Sequence, residues 1–178
     1  MPAPSQPVLF LLSLCLGLLG GSAPASAQSS PADPTIDVGV VVDDLDASLQ
    51  FYQDVLGMEQ SRTIDINEAF GRRSGLTGGQ TTKIRVLTLG DGDAATEWKL
   101  MEFDDGPDAV DEADITDQQG MQYITLQVDR LGPYLERARE HGVELLGETP
   151  ISLGERNDFI LLRAPEGTFV EVIGPLDQ

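Results

Sequence analysis

Residues 36–58, IDVGVVVDDLDASLQFYQDVLGM, have a counterpart 86 positions later in residues 122–144, QYITLQVDRLGPYLERAREHGVE. Val38, Val40, Val42, Leu45 and Leu49 answer to Ile124, Leu126, Val128, Leu131 and Leu135. In both copies the apolar spacing changes from two to three and four, so a strand leads through an acidic turn into an amphipathic helix. Each copy is followed by a short apolar strand interrupted by one glutamate, LMEF at 100–103 and FVEVI at 169–173. A duplicated strand–helix–strands unit makes a two-lobed shell. Polar residues at matching places in its apolar strands point to a site between the lobes.

The remaining elements follow from local chemistry. Residues 36–42 are too short and too β-branched for a helix; Asp43 or Asp44 caps the helix that follows. Leu45, Leu49, Tyr52 and Leu56 recur at helical spacing, and Gly57 ends the run. Residues 59–65 read as a strand and 69–80, polar and glycine-rich, as a loop. Residues 82–89 and 96–103 form a hairpin around Gly90-Asp91-Gly92. The stretch 104–119, DDGPDAVDEADITDQQ, has seven acids and little to bury, hence a linker. In the second unit the strand is 121–128, with Asp129 and Pro133 opening a helix that ends near His141 and Gly142. Residues 145–150 are irregular or strand. The last hairpin, 158–163 and 168–173, turns at Pro165-Glu166-Gly167.

Strand parity assigns faces. Val38, Val40 and Val42 cover the first helix, which turns Asp37 the other way. Ile124, Leu126 and Val128 cover the second, leaving Tyr123, Thr125 and Gln127 on the opposite face. Val170 and Val172 alternate with Phe169, Glu171 and Ile173. The face away from the helices thus collects Asp37, Tyr123 and Glu171, and Glu102 is placed with them. An acid inside an apolar strand is costly without a partner, which makes Glu102 and Glu171 candidate site residues. Arg85 and Arg163, also on strands, either reach an anionic ligand or pair with surface acids, and the surface reading is favoured because most arginines are solvated.

Val8 to Leu19 is a mostly apolar run of twelve, followed by small residues ending in Ala25-Ser26-Ala27. A membrane-spanning helix needs about 20 apolar residues, so residues 1–27 read as an export signal cut near Ala27. Cys15 is a poor lipid-attachment site because Leu14 stands where a small residue is wanted. Residues 28–35 are a tether, and 36–176 a single domain: first module 36–103, acidic linker 104–119, second module 120–176. The mature chain has no cysteine, which excludes disulfides and thiol chemistry, and no segment that would hold it in a membrane. A net charge of −19 repels nucleic acid and anionic lipid.

VGVVVDDLDASLQFYQDVLGM, GMQYITLQVDRL and APEGTFVEVIG resemble the vicinal oxygen chelate superfamily. That group includes glyoxalase I, extradiol dioxygenases and the fosfomycin and bleomycin resistance proteins. The resemblance spans residues 36–174. It implies an α+β fold of two βαβββ modules, the glyoxalase-like VOC fold, whose curved mixed sheets enclose a cleft and carry helices outside. Metal-dependent members hold a divalent ion there with one residue from each of four strands; carried over, these are Asp37, Glu102, Tyr123 and Glu171. Asp37 and Tyr123 stand where histidine or glutamine is usual in those enzymes. The single histidine, His141, is at a helix end, where an imidazolium suits the dipole.

Three carboxylates and a phenol suit magnesium, manganese or calcium better than zinc or iron, and the resemblance implies no organic cofactor. Two functions stay open. One is an exported metal-dependent lyase or isomerase acting on a small oxygen-rich molecule, with Glu171 or Glu102 moving the proton. The other is a non-catalytic protein that sequesters a small molecule in the same cleft. The cleft closes either within one chain or across a homodimer.

Overall fold

A computed structural model describes residues 35–90, 95–107 and 113–176. Four valines in five positions make β1, Val38–Val42, a strand that turns Val38, Val40 and Val42 to the core and leaves Gly39 and Val41 exposed. Helix α1, Leu45–Gln50, starts at Asp44, whose carboxylate accepts the Ala47 N–H at 2.9 Å. It runs on as a π-helical turn over Phe51–Val55, and Gly57, at φ 78°, ends it. That wider turn brings Phe51, Tyr52, Val55 and Leu56 onto one buried surface. Then come β2 (Glu59–Ile66), α2 (Glu68–Ser74), β3 (Thr82–Thr88) and β4 (Glu97–Glu102). The second module repeats the plan with β5 (Tyr123–Gln127), α3 (Gly132–Glu140), β6 (Ile151–Leu153), β7 (Asn157–Arg163) and β8 (Phe169–Gly174).

Each module forms its own four-stranded mixed sheet, ordered β1-β4-β3-β2 and β5-β8-β7-β6. In both, the opening strand lies parallel to the last, and the other pairs are antiparallel. The expected α+β fold of two modules is therefore what the chain adopts. One apolar core serves both. Val42, Tyr52, Leu56, Trp98 and Leu100 of the first module join Leu131, Leu135, Leu162 and Val172 of the second. Burying each such side chain is worth about 1.5–3 kcal/mol.

Polar contacts also cross between the modules. Tyr52 donates its hydroxyl proton to Glu166 Oε1 at 2.5 Å, and Ser48 Oγ lies 3.5 Å from Glu166 Oε2. Glu166 sits in the turn between β7 and β8. The Arg137 side chain of α3 donates to the Val55 carbonyl at 2.8 Å and its guanidinium stacks 4.4 Å from the Tyr134 ring. These bonds lock helix to helix and the β7–β8 turn to the first helix.

Three local expectations change. Residues 68–74 are helical, not loop, because the Asn67 side chain caps the Phe70 N–H at 2.9 Å and Gly75 closes the end at φ 74°. Leu131 stands at the N-cap of α3 and no side chain caps the helix, so Asp129 does not cap it; Pro133 lies in its first turn, and His141 follows its end. In the acidic linker, Asp117 accepts the Ala113 and Asp114 N–H groups at 2.8 and 3.1 Å, so residues 113–119 form a chain of turns. Residues 91–94 of the first hairpin and 108–112 of the linker lie outside the described residues, as do residues 1–27, which are read as an export signal from their sequence.

Burial, and next the Glu166 carboxylate, push the Tyr52 phenol well above the ordinary tyrosine value of 10.0. The native state therefore holds this proton more tightly than the unfolded chain. Its stabilisation is complete below about pH 10 and is lost as pH rises toward the native value. Tyr52→Phe should lower unfolding free energy by about 1.5–3 kcal/mol at neutral pH. It should also flatten the alkaline limb of the stability profile, as read by urea denaturation between about pH 7 and 11.

Candidate functional site

The sheet faces turned away from the helices carry the candidate chemistry. In the first module the register pairs Gly39 with Lys99 and Val41 with Met101, so Lys99 shares the face of Gly39, opposite the buried Trp98 and Leu100. Asp37, two residues before Gly39, reaches along this face and accepts from the Lys99 ammonium at 2.7 Å. Lys99 also lies 3.2 Å from Glu97, and Glu97 receives Arg62 from β2 in a two-pronged pairing, with Nη2 to Oε2 at 2.7 Å. The four charges alternate along a row, Arg62, Glu97, Lys99, Asp37, and sum to zero.

Each charge steadies its neighbours. The Lys99 ammonium bonded to Asp37 holds that carboxyl below its ordinary value, and the Arg62 guanidinium does the same for Glu97. In return the Asp37 bond raises Lys99 and the Glu97 bond raises Arg62. Lys99 is therefore a fixed ammonium at neutral pH.

In the second module Tyr123, Thr125 and Gln127 lie on the face away from α3, exposed to solvent, with Glu171 beside them. The Thr125 hydroxyl donates to Glu171 Oε2 at 2.5 Å. Arg163 lays its guanidinium 4.4 Å from the Phe169 ring and donates to the Ala113 carbonyl of the linker at 3.2 Å. It thus fastens chain and ring instead of pairing only with acids. Arg85 donates to Thr63 at 3.2 Å. Two crevices open here. One, of about 230 Å³, lies between β1 and β5 and is lined by Gly39, Val41, Met121 and Tyr123. The other, of about 330 Å³, lies beneath linker residues 113–115 and is lined by Tyr123, Leu146, Leu161, Phe169 and Glu171. Tyr123 borders both.

Of the residues singled out from the sequence, Tyr123 and Glu171 meet in one crevice, and Asp37 is tied to Lys99. Glu102 does not join them. It pairs with Val42, whose side chain is buried in the core, and so points to the helix side. There its Oε1 accepts the Leu45 N–H of α1 at 3.3 Å. Trp98 faces the same side and is buried in the core, tilted against Tyr52 at 5.5 Å between ring centres.

The module register identifies the residue that the sequence reading missed. Gly39 and Thr125 are equivalent in the repeat, and they pair with Lys99 and Glu171 respectively. Lys99 is thus the first-module counterpart of Glu171, and the counterpart of Glu102 is Gly174. A Cβ on Gly174 would stand 2.3 Å from the Val128 carbonyl oxygen, so no side chain fits there. Matching LMEF to FVEVI by their glutamates shifts the strand by three residues, and an odd shift exchanges faces. Strand β4 is apolar on both faces, so it is the pairing with β1 that singles out Lys99.

The four equivalent positions are therefore Asp37, Lys99, Tyr123 and Glu171. This set does not fit a divalent ion. A protonated lysine has no lone pair to give, and it occupies the carboxylate beside it. Among the described residues no three His, Cys, Asp or Glu side chains are grouped to hold a metal.

The chain belongs to the Glyoxalase/Bleomycin resistance protein/Dioxygenase superfamily, whose family model matches residues 36–172. Among solved structures it is similar to a glyoxalase family protein from Bacillus cereus, at TM-score 0.69 and 23% identity over 86% of this chain and 100% of that one. It is also similar to the trypanothione-dependent glyoxalase I of Leishmania major, at TM-score 0.55 and 21% identity over 78% and 84%. A third is the fosfomycin resistance protein FosX of Listeria monocytogenes, complexed with Mn(II) and a sulfate ion, at TM-score 0.50 and 16% identity over 78% and 89%. At these identities the likeness is one of fold. No curated protein sequence matches the chain.

The depressed carboxyls set an acid dependence. Asp37 and Glu97 stabilise the native state above their unfolded values near pH 4, and that contribution is lost as pH falls through their lower native values. Asp37→Asn combined with Glu97→Gln should therefore make the fall in melting temperature between about pH 5 and 3 shallower. Added salt should shrink the difference, because the two ends of the row, Arg62 and Asp37, are exposed.

Proposed function

We propose that this chain is an exported protein that binds a small molecule in the cleft of its second module without transforming it. The observation that carries the reading is the crevice shared by Tyr123, Phe169, Leu161 and Glu171. It is a mainly apolar recess at the small end of the range for ligand pockets, about 300–1,000 Å³. One phenol and one carboxylate at its edge supply orientation. Proton transfer finds little support in it. Glu171 already accepts a hydrogen bond from Thr125, and Glu102, the other acid assigned that role by resemblance, lies on the helix side. The bleomycin resistance proteins of the same superfamily furnish the analogy for binding alone.

The competing reading, a divalent-metal enzyme acting on an oxygen-rich substrate, draws on the manganese bound by FosX. The donor set at Asp37, Lys99, Tyr123 and Glu171 speaks against it. Export rests on the apolar run at Val8–Leu19 and the small residues before Gln28.

Thermal-shift titration of the mature protein with bleomycin and a fragment library, in chelator, should yield saturable stabilisers. Their effect should weaken by about tenfold or more in Tyr123→Ala, the loss of roughly 1.4 kcal/mol of binding. Ligands that stabilise both proteins equally, or are chemically converted when Mn2+ is added, would overturn the reading. Expressed as the full chain in a bacterium, the protein should be recovered outside the cytoplasm with Gln28 as its first residue by intact mass. An uncleaved cytoplasmic chain would exclude export.

A further inference from the structure

We infer that the Lys99 ammonium is a resident cation that takes the place of a divalent ion in the first module, making this a metal-independent form of the superfamily's cleft. The inference starts from position. The duplicated register makes Lys99 the equivalent of Glu171, so a cation stands where the symmetry of the fold would put a second carboxylate. It continues from contacts. Nζ lies 2.7 Å from Asp37 Oδ2 and 3.2 Å from Glu97 Oε2, so one positive group bridges two carboxylates. That is the electrostatic service a bound metal would perform, delivered by a covalently attached group that chelators cannot remove.

The surroundings fit this role. The Lys99 stem runs over the face shared with Gly39, and the side chain is only 23% exposed. Gly39 has no side chain of its own there. The neighbouring apolar group of Ile66, Ile84, Val86 and Met101 covers the same face and keeps it partly dry. Arg62 neutralises the far side of Glu97, so the row needs no further ion. Remove the ammonium, and Asp37 and Glu97 face each other with no cation between them and only Arg62 on the far side of Glu97.

The inference goes beyond the ligand-binding reading and stands or falls separately, because its test contains no organic ligand. The probe is MnCl2 alone, with KCl at matched ionic strength as control. The chelator-treated wild-type protein should show no change in melting temperature with millimolar MnCl2 beyond that given by KCl, and no saturable Mn2+ binding by electron paramagnetic resonance. Lys99→Met should melt about 2–4 °C lower at neutral pH and regain most of that loss with MnCl2 but not with KCl. In Lys99→Met combined with Asp37→Asn the Mn2+ response should disappear. Lys99→Glu, which restores a carboxylate at the equivalent position, should bind close to one Mn2+ per chain and serves where Lys99→Met fails to fold. Stoichiometric Mn2+ binding by the wild-type protein would overturn the inference. So would a Lys99→Met protein whose melting temperature matches the wild type, or one that does not respond to MnCl2.

Discussion

The hydrogen bond from Tyr52 to Glu166 joins residues 114 apart in sequence, and the arrangement of the two modules depends on it. Each sheet completes its own hydrogen bonds, so neither needs the other for backbone pairing. What holds them in register is the shared core and the few polar groups that cross it. Tyr52 is fully buried, packed edge-on to Phe51 and tilted against Trp98, with its hydroxyl delivered to a carboxylate on the opposite module. An apolar core alone would tolerate sliding, because burial is non-directional. A short charge-assisted bond is directional, and removing Glu166 takes the carboxylate from a hydroxyl whose residue is fully buried. The crevice between β1 and β5 inherits its shape from that alignment.

Much of this was legible in the chain itself. The change of apolar spacing from two to three and four marked both strand–helix units, because one face of each is buried against the common core. The topology followed from the repeat, and Tyr123 and Glu171 were placed on the right face by counting. Helix α2 escaped because Gly71 within it and Gly75, Gly78 and Gly79 after it outweigh its signals when read as composition. Those signals were present nonetheless: Asn67 as cap, Glu68 in the first turn, Arg72 and Arg73 in the last, and Gly75 beyond it.

The misplacement of Glu102 has a different cause. Strand β4 is apolar on both faces, since Trp98 and Leu100 enter the main core while Met101 packs against Ile66, Ile84 and Val86. Alternation, the signal that separates faces, is therefore absent there. Only the pairing with β1 breaks the tie, and pairing register is not written in one strand. Lys99 stayed hidden for the same reason. As a lone lysine among acids it resembles any solubilising surface charge, and its meaning comes from its partner across the ladder.

That register has a consequence for how this duplicated chain can change. Two copies of a gene segment begin as interchangeable parts, and either half can be recopied over the other without loss. Here one half carries an ammonium and the other a carboxylate at the same address. A chain rebuilt from two second halves would set a Tyr123–Glu171 pair on both sides with no ammonium between acids. One rebuilt from two first halves would lack the Glu166 that receives Tyr52. The halves have specialised past the point of exchange, and mutations in one must now be answered in the other.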